Sequence, residues 1–471
     1  MKRIFFIILF SASTLYPSDN QTSDISPVLL AKSLPFKLAI ETLKLTVPGG
    51  IHSAASGRSG SDYLFITGRT NGLHGFANNN NNFPPTQQNS TVFVINPCKN
   101  TVCSRSLLDP LSGLTARQID SLTVTSPQSY QSGNTLYITG GYGVDSATGA
   151  FTTKDTLTAI DVSGLIHWVK NPSCSTRASH SIRQISNQLF RVTGGHMFQV
   201  GQCPTLLIFG QNYPTFYNGG LNGNYTEQIR RFNIVDNGKT LDVITLGSTI
   251  PDPNYRRRDL NIIPIIKTDS GCKIPAFVAL AGVFTPSVYP GIWTVPVEIT
   301  ANGTPSMANP DFESTFKQGV NIYASPHIEL LAQNGDIFSI LFGGITFAYL
   351  EDGVVLTDSE FPFTSQISAI TRSRNGEYTQ AILPIEYPTI LSTASNPGNR
   401  LLFGAGGKFV IAPDVPAFSN GVLNLEKIKC KTVIGYIIGG IQSTLPNTNV
   451  PSDSAASPYT FKVTLTPNCR S

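Results

Sequence analysis

A short apolar run that ends in glycine returns along the chain. Several copies follow a polar turn, such as Ser59–Asp62 or Gln131–Asn134, in which glycine and asparagine accept positive φ. The pattern therefore predicts hairpins whose second, buried strand stops at a glycine step. The copies are Tyr63–Arg69, Leu136–Gly141, Leu189–Gly195, Phe277–Gly282, Phe338–Gly344 and Gly435–Gly440.

Further strands are expected on both sides of each copy, which gives four antiparallel strands per unit. At the glycine step we expect neighbouring units to crowd together, so that a side chain would clash. The predicted first strands are Ile51–Ser56, Ser179–Gln184 and Ser325–Leu330. The predicted third strands are Thr91–Asn96, Thr156–Asp161, Ile229–Ile234 and Ile292–Val297, and Leu165–Val169 is a predicted fourth strand.

Four-stranded units with this glycine step resemble the Kelch repeat over nearly all of the chain. The copies are degenerate: Arg69 replaces the second glycine of one copy, and Ala281 replaces the first glycine of another. The tryptophan of the repeat survives mainly as Trp168. The resemblance implies an all-β, Kelch-type β-propeller of six four-stranded blades. Seven blades is the alternative, because residues 401–407 resemble another copy, but they lie only about 33 residues before Gly439 and a blade needs about 40 to 50.

The ends of the chain are predicted to differ in role. Residues 1–19 have a basic start, an apolar run and small residues, which is typical of a signal peptide, and 20–35 form a linker. The run is shorter than the about 20 apolar residues of a membrane span. We expect an exported protein, periplasmic or extracellular, without membrane insertion. Residues 36–471 would form a single propeller domain, closed by pairing 39–45 with 459–466.

Composition excludes some partners. Charged residues are only 13% and the net charge is +4, with no basic run beyond Arg256–Arg258, so nucleic acid is not expected to bind. Glycine, proline, phenylalanine and tyrosine are abundant, which favours short strands and turns.

Seven cysteines in an exported chain suggest disulfides. Cys98 and Cys103 are close enough to close a small loop, and a bond between them is predicted. Cys174 with Cys203 and Cys430 with Cys469 remain open, and the odd count leaves a thiol over. Zinc is disfavoured because no second close pair supplies the remaining ligands.

The direction of the strands predicts which face is functional. Loops between second and third strands emerge on the same face as the connections between blades, and the long insertions at 74–82, 196–228, 350–366 and 443–457 are of the first kind. The candidate ligand-binding residues on that face are His52, Arg69, Arg177, His180, His196, Arg258 and His327. The histidines could bind an anion, shuttle a proton or hold a metal, and the arginines could hold a carboxylate or phosphate, although both could instead satisfy neighbouring groups.

Function is predicted from this face. No nucleophile elbow, metal-binding histidine pair or phosphate loop is present, so no catalytic residue, cofactor or metal is assigned. We expect a monomeric binding module for a protein or glycan. The alternative is a sugar-processing enzyme: the resemblance extends to the exported sialic acid mutarotases, which implies an arginine and glutamate site to which Arg177, Arg258, His180 and Glu329 could contribute. A copper oxidase resembling galactose oxidase is disfavoured because the six histidines are scattered.

Overall fold

Short strands joined by turns make up most of the chain in this computed structural model, which describes residues 25–30, 34–77, 79, 81–173, 175–218, 223–269, 271–285 and 291–468. The first strands are β1 Val28–Leu30, β2 Phe36–Thr46, β3 Ala55–Ser59, β4 Asp62–Ile66, β5 Thr91–Asn96, β6 Thr101–Ser106, β7 Gln128–Ser132, β8 Thr135–Thr139, β9 Tyr142–Val144, β10 Phe151–Thr153, β11 Thr156–Asp161, β12 Ile182–Ser186, β13 His196–Phe198, β14 Thr205–Ile208, β15 Gln211–Asn212, β16 Asn224–Tyr225, β17 Ile229–Asp236 and β18 Leu241–Thr245.

The remaining strands are β19 Ile262–Asp269, β20 Cys272–Ala279, β21 Gly282–Val283, β22 Ile292–Trp293, β23 Val297–Thr300, β24 Pro305–Met307, β25 His327–Leu331, β26 Ile337–Ile345, β27 Ala348–Glu351, β28 Val354–Thr357, β29 Phe363–Arg372, β30 Tyr378–Glu386, β31 Lys408–Ile411, β32 Leu423–Asn424, β33 Thr432–Ile438, β34 Ile441–Ser443, β35 Ser454–Ala456 and β36 Tyr459–Pro467. The α-helices of the described residues are α1 Ala116–Leu122 and α2 Val162–Lys170.

Six large sheets follow one another along the described chain. From the inner to the outer strand, sheet 1 is β3-β4-β5-β6, sheet 2 is β7-β8-β11-β12, sheet 3 is β13-β14-β17-β18, sheet 4 is β19-β20-β23-β24, sheet 5 contains β25-β26-β29-β30, and sheet 6 is β31-β33-β36-β2. Neighbouring strands of these runs are antiparallel. Small hairpins, β9-β10, β15-β16, β21-β22, β27-β28 and β34-β35, fill the connections between second and third strands.

Buried side chains join each sheet to the next and the last to the first. Leu64 and Leu136 share a core cluster between sheets 1 and 2, and Tyr63 and Tyr436 share one between sheets 1 and 6. Four further clusters join sheets 2 with 3, 3 with 4, 4 with 5, and 5 with 6. The sheets therefore form a closed ring, and the predicted all-β propeller fold is confirmed.

The predicted count of six four-stranded blades is wrong, and so is the alternative of seven blades, because only five sheets of the described residues are four-stranded blades. Five of the large sheets have four strands, but sheet 5 has six, because β1 pairs parallel with its outer strand β30 and β32 pairs parallel with its inner strand β25. Residues 401–407 form no second strand of a further blade. They lead into β31, the inner strand of sheet 6.

The glycine step occurs where one sheet touches the connection to the next. Gly140 and Gly343 both have positive φ, and a Cβ atom there would overlap the carbonyl oxygen of Val192 and of Phe403 respectively. The predicted reason for glycine is thus confirmed at these two positions.

The register of two copies differs from the prediction. In the first copy the two left-handed residues are Thr67 and Gly68, so Arg69 follows the step and does not replace its second glycine. The third copy is β14 followed by Phe209 and Gly210, both with positive φ. The segment 189–195 precedes β13 and was wrongly assigned as a second strand.

Helix α2 replaces the strand predicted at 165–169. The Asp161 side chain caps the helix by accepting a hydrogen bond from the Gly164 amide, and Leu165, Ile166 and Val169 are buried at helical spacing. A short apolar run fits either period, which explains the wrong assignment.

Six backbone hydrogen bonds form a ring around the channel at the point where the inner strands begin. Each connection donates to the preceding one and accepts from the following one, at 2.7 to 3.2 Å. The successive donors are Ser126 to Ser53, Gly194 to Ser126, Asp259 to Gly194, Ala324 to Asp259, Gly406 to Ala324 and Ser53 to Gly406. This hydrogen-bond ring fixes the distance between the sheets at one end of the channel.

Residues 413–428, here called the plug segment, lie at the opposite end. This segment connects the first and second strands of sheet 6. Its strand β32 pairs with the end of β25, and Asn420 Nδ2 donates to the Ile265 carbonyl oxygen of sheet 4 at 3.1 Å. Val422 is buried in the core between sheets 4 and 5. The plug segment therefore covers the channel end beside sheets 4 to 6.

The disulfide predicted between Cys98 and Cys103 is absent, because both thiols are free. Cys98 lies in the turn after β5, with its sulfur 3.6 Å from the Tyr436 hydroxyl between sheets 1 and 6. Cys103 lies on β6 and packs into the core between sheets 1 and 2. The two side chains thus point to opposite faces of one hairpin. Cys174 and Cys469 lie outside the described residues, and Cys203 and Cys430 are free thiols.

The predicted signal peptide also lies outside the described residues. Among the helices of the described chain, none has the length and apolar character needed to cross a bilayer.

Candidate functional site

A pocket of about 680 Å³, which includes its opening to solvent, lies at the channel mouth above the hydrogen-bond ring. Ring members Ser53, Ser126, Asp259 and Gly406 contribute to its lining. The other lining residues used below are His52, Arg69, His74, Phe83, Thr125, Tyr142, Thr193, Gln211, Tyr213, Tyr217, Arg258, Tyr323, Ile345 and Ile441.

Two repeated positions supply half of this lining. One is the residue after each glycine step, and the other is the residue before each ring member. The first set comprises Arg69, Tyr142, Gln211, Ile345 and Ile441, and the second comprises His52, Thr125, Thr193, Arg258 and Tyr323. Sheets 1 to 4 bring the charged and most of the polar side chains, whereas sheets 5 and 6 bring Ile345 and Ile441. The pocket therefore has a polar side and an apolar side.

Arg258 is the most elaborately surrounded charge in the pocket. Its side chain is buried, and Nη1 donates to the Tyr213 hydroxyl at 2.6 Å. With the carboxamide oxygen of Gln211 turned toward the guanidinium, that oxygen accepts from Nε at 3.2 Å. The guanidinium carbon also lies 4.7 Å from the centre of the Phe284 ring. These contacts hold the cation in one orientation.

Arg69 is a second buried cation and is held mostly by neutral groups. Nε donates to Asn71 Oδ1 at 2.9 Å and Nη2 donates to the Pro84 carbonyl oxygen at 3.1 Å. The guanidinium lies 5.0 Å from the Phe83 ring centre. Burial lowers its pKa to about 10, so it remains a cation at neutral pH.

An aromatic cluster links the surroundings of the two arginines. The His74 ring stacks on Phe83 at 4.6 Å and contacts Tyr217 edge-on at 4.7 Å between ring centres. Asn82 anchors the loop that carries His74, because its buried side-chain amide donates to the Tyr217 carbonyl oxygen at 3.0 Å. Insertions from sheets 1 and 3 thereby interlock beside the pocket.

Asp259 is the carboxyl group of the pocket lining. Its Oδ2 lies 3.8 Å from Arg258 Nη1, and burial raises its pKa although the guanidinium opposes the shift. Its φ of +49° is unusual for a side chain other than glycine. The ring hydrogen bonds of its amide and carbonyl hold this conformation.

His52 contributes an uncharged imidazole. Its Nδ1 lies 3.0 Å from Ser53 Oγ, whereas Nε2 is buried without a partner among the described residues. Burial, followed by the nearby charges of Arg69 and His74, lowers its pKa to about 3. The side chain is only 6% exposed, and Nε2 itself is buried.

The pocket brings together only part of the predicted set. His52, Arg69 and Arg258 line it, but Arg177 and His180 are exposed at the outer rim of sheet 2, in the turn before β12. The prediction that 179–184 is an inner strand is wrong. These residues lead into and begin β12, the outermost strand of sheet 2, so His180 lies far from the channel. His196 and His327 open inner strands on the far side of the hydrogen-bond ring.

Several pocket residues had no sequence-based prediction, among them His74, Tyr142, Gln211, Tyr213, Tyr217, Asp259 and Tyr323. Tyr142 was predictable from the sequence, because it directly follows a glycine step. Tyr213 and Tyr217 lie in an insertion whose path the repeat does not define.

Comparisons with known proteins give no family. No family model matches the chain, and no curated protein matches it. Among solved structures, the structure of YjhT is similar, with 10% identity and a TM-score of 0.45, over 89% of this chain and 98% of that chain. A likeness of this size does not indicate a function.

Proposed function

We propose that the pocket binds a carboxylate-bearing carbohydrate and that the protein is a sugar-processing protein. The observation that carries this proposal is the pair Arg69 and Arg258, 2% and 4% exposed, in the lining of one pocket. The carboxyl group of the lining, Asp259, has a raised pKa. Two buried cations beside one weakly acidic carboxyl favour an anionic ligand, because buried charges need partners.

The uncharged lining favours a sugar as the body of that ligand. Aromatic rings and hydroxyl groups of Tyr142, Tyr213 and Tyr217 stand beside the arginines, which suits a molecule with both C–H faces and hydroxyls. The apolar side formed by Ile345 and Ile441 would take an uncharged substituent of the same molecule.

Interconversion of sugar anomers is the reaction that these groups would support. His52 Nε2 would take the proton of the anomeric hydroxyl while Asp259 gives its proton to the ring oxygen, and the ring C–O bond breaks as the carbonyl forms. Addition to the opposite carbonyl face reverses the same transfers. The raised pKa of Asp259 supports its role as the proton donor, and the imidazole of His52 is neutral at pH 7, which is the form that accepts a proton.

A binding module for a protein remains the competing function. It was predicted from the decorated face, but the buried charges converge on one pocket and do not spread over the loops. We further propose that sheet 5 occupies the place of a sixth blade of a Kelch-type propeller. Export to the periplasm or the cell exterior, and a monomeric state, are proposals that rest on the sequence.

Calorimetry and thermal shift with glucuronate, N-acetylneuraminate and neutral glucose test the ligand class. We expect a carboxylated sugar to bind and glucose to bind at least about tenfold more weakly. Arg69→Met and Arg258→Met should each weaken binding by about 10- to 100-fold, and Arg258→Lys by less. Arg177→Met is the matched control, because this arginine lies at the rim.

Failure of every carboxylated sugar to bind, or an equal loss in the Arg177 control, would overturn the proposal. Capture of a protein partner by the intact chain would then favour the binding module. Exchange between anomers is measured separately by NMR saturation transfer in the presence of the protein.

A further inference from the structure

His74 presents a hydrogen-bond acceptor to the pocket. Its Nδ1 lies 2.8 Å from the Gly75 carbonyl oxygen, and because a carbonyl oxygen only accepts, this nitrogen carries the proton. Burial lowers the pKa of the ring to about 4, so the imidazole is neutral at pH 7 and Nε2 has the free lone pair. Nε2 has no hydrogen-bond partner among the described residues and, unlike Nε2 of His52, is not fully enclosed. The lone pair is therefore available to a ligand.

Two aromatic rings hold this imidazole between the arginines of the pocket. Phe83 stacks on the His74 ring at 4.6 Å between ring centres, and its centre lies 5.0 Å from the Arg69 guanidinium carbon. Tyr217 contacts the His74 ring at 4.7 Å, and its centre lies 5.9 Å from the Arg258 guanidinium carbon. All five side chains line the same pocket. The acceptor thus stands beside the place where the proposed function seats the ligand carboxylate.

A lone pair in this position favours some ligand groups over others. A carboxylate oxygen carries no hydrogen and would be repelled by the Nε2 lone pair of His74, whereas a hydroxyl group would donate to it. A site that hydrogen-bonds a ligand hydroxyl also discriminates against a ligand that lacks it, because the acceptor of the site is then left without a partner. We therefore expect the ligand to carry a hydroxyl group close to its carboxylate.

We propose that His74 makes the pocket selective for uronic acids, by accepting a hydrogen bond from the hydroxyl group beside the carboxylate-bearing carbon. This inference rests on the proposed function, in which the arginines hold the carboxylate and His52 takes the proton of the anomeric hydroxyl. His74 must then bind a different hydroxyl group. In a hexuronate the carbon next to the carboxylate-bearing carbon supplies one, the C4 hydroxyl. In N-acetylneuraminate the carbon at that place, C3, carries only hydrogens.

Calorimetry with three sugars tests this selectivity in the full chain. Glucuronate should bind at least about tenfold more tightly than 4-deoxyglucuronate and than N-acetylneuraminate. Equal affinity for glucuronate and its deoxy analogue, or tighter binding of N-acetylneuraminate, would overturn this inference and leave the carboxylate pocket in place. If no carboxylated sugar binds, the proposed function fails and this inference fails with it.

Substitution of His74 tests whether its lone pair is the cause of the selectivity. His74→Phe keeps an aromatic ring for stacking but removes the acceptor, so the preference for glucuronate over 4-deoxyglucuronate should fall below about twofold. His74→Gln offers a carboxamide oxygen as the acceptor and should retain most of the preference. The matched control is Phe76→Leu, because the exposed Phe76 ring contacts the same imidazole at 4.7 Å without lining the pocket. Full preference in His74→Phe, or an equal loss in Phe76→Leu, would contradict the proposal.

Discussion

The Ser53 amide donates to the Gly406 carbonyl oxygen at 2.8 Å, and this bond joins sheet 1 to sheet 6, the first and the last sheet in the sequence. A backbone hydrogen bond of the same type joins each of the remaining pairs of consecutive sheets. The pocket thus stands on a floor of backbone groups whose hydrogen bonds are already made. Selectivity must therefore come from the side chains at the rim of this floor.

The glycine step can be tested by a pair of matched substitutions. Gly140 and Gly149 have φ of +63° and +70°, but only at Gly140 would a Cβ atom meet the backbone. We expect Gly149→Ala to lower the free energy of unfolding by about 1 kcal/mol. Gly140→Ala should cost at least about 3 kcal/mol because steric overlap is added to the conformational cost. Urea unfolding measures both, and equal losses would contradict the explanation.

Stability should decrease on acidification in part because of His52. Its pKa falls from about 6.5 to about 3 on folding, so between these values the unfolded chain binds the proton more readily. The free energy of unfolding should therefore fall as pH decreases through this window, by up to about 1.4 kcal/mol per pH unit from this group.

Urea unfolding at pH 7, 5.5 and 4.5 measures the effect. His52→Gln should reduce the slope, whereas the exposed His180→Gln should leave it unchanged. His74 and His196 also have lowered pKa values, so some slope remains in the variant. An unaltered slope in His52→Gln would show that this histidine is not buried in its neutral form.

Asp259→Asn separates binding from proton transfer in the proposed reaction. Asparagine tolerates the left-handed backbone at this position and keeps the side-chain shape. The rate of anomer exchange should fall by about 100-fold. Affinity for a carboxylated sugar should be retained or increase, because asparagine keeps the side-chain shape and cannot ionise beside Arg258. A parallel loss of affinity and rate would instead indicate a structural role.

The hairpin thiols should be reactive without prior reduction. Cys98 is exposed, so a maleimide should label it in the native protein, with mass spectrometry as the readout. Cys98→Ser should change the free energy of unfolding by no more than about 0.5 kcal/mol. Loss of a native disulfide would instead cost about 2–5 kcal/mol. If Cys98 resists labelling and Cys98→Ser loses much of the free energy of unfolding, the disulfide forms after all.

Local patterns were sufficient for the strands that alternate beside clear turns. Phe338–Gly344 and Leu136–Gly141 match β26 and β8 with their glycine steps because both the apolar run and the turn chemistry are local. Leu165–Val169 failed because five apolar positions fit a helix as well as a strand. The copy at 189–195 failed because two adjacent glycines also suit a connection between sheets.

The sequence by itself determined the β-rich architecture, the glycine-limited second strands and the candidates His52, Arg69 and Arg258, because each depends on residue type and short-range order. Tertiary structure decided which candidates meet. In the folded protein Arg177 and His180 lie at the rim, and His196 and His327 lie beyond the ring. Asp259, Tyr213 and Tyr217 line the pocket. The physical reason is that ring closure and the path of long insertions depend on packing between sheets, which no local pattern records.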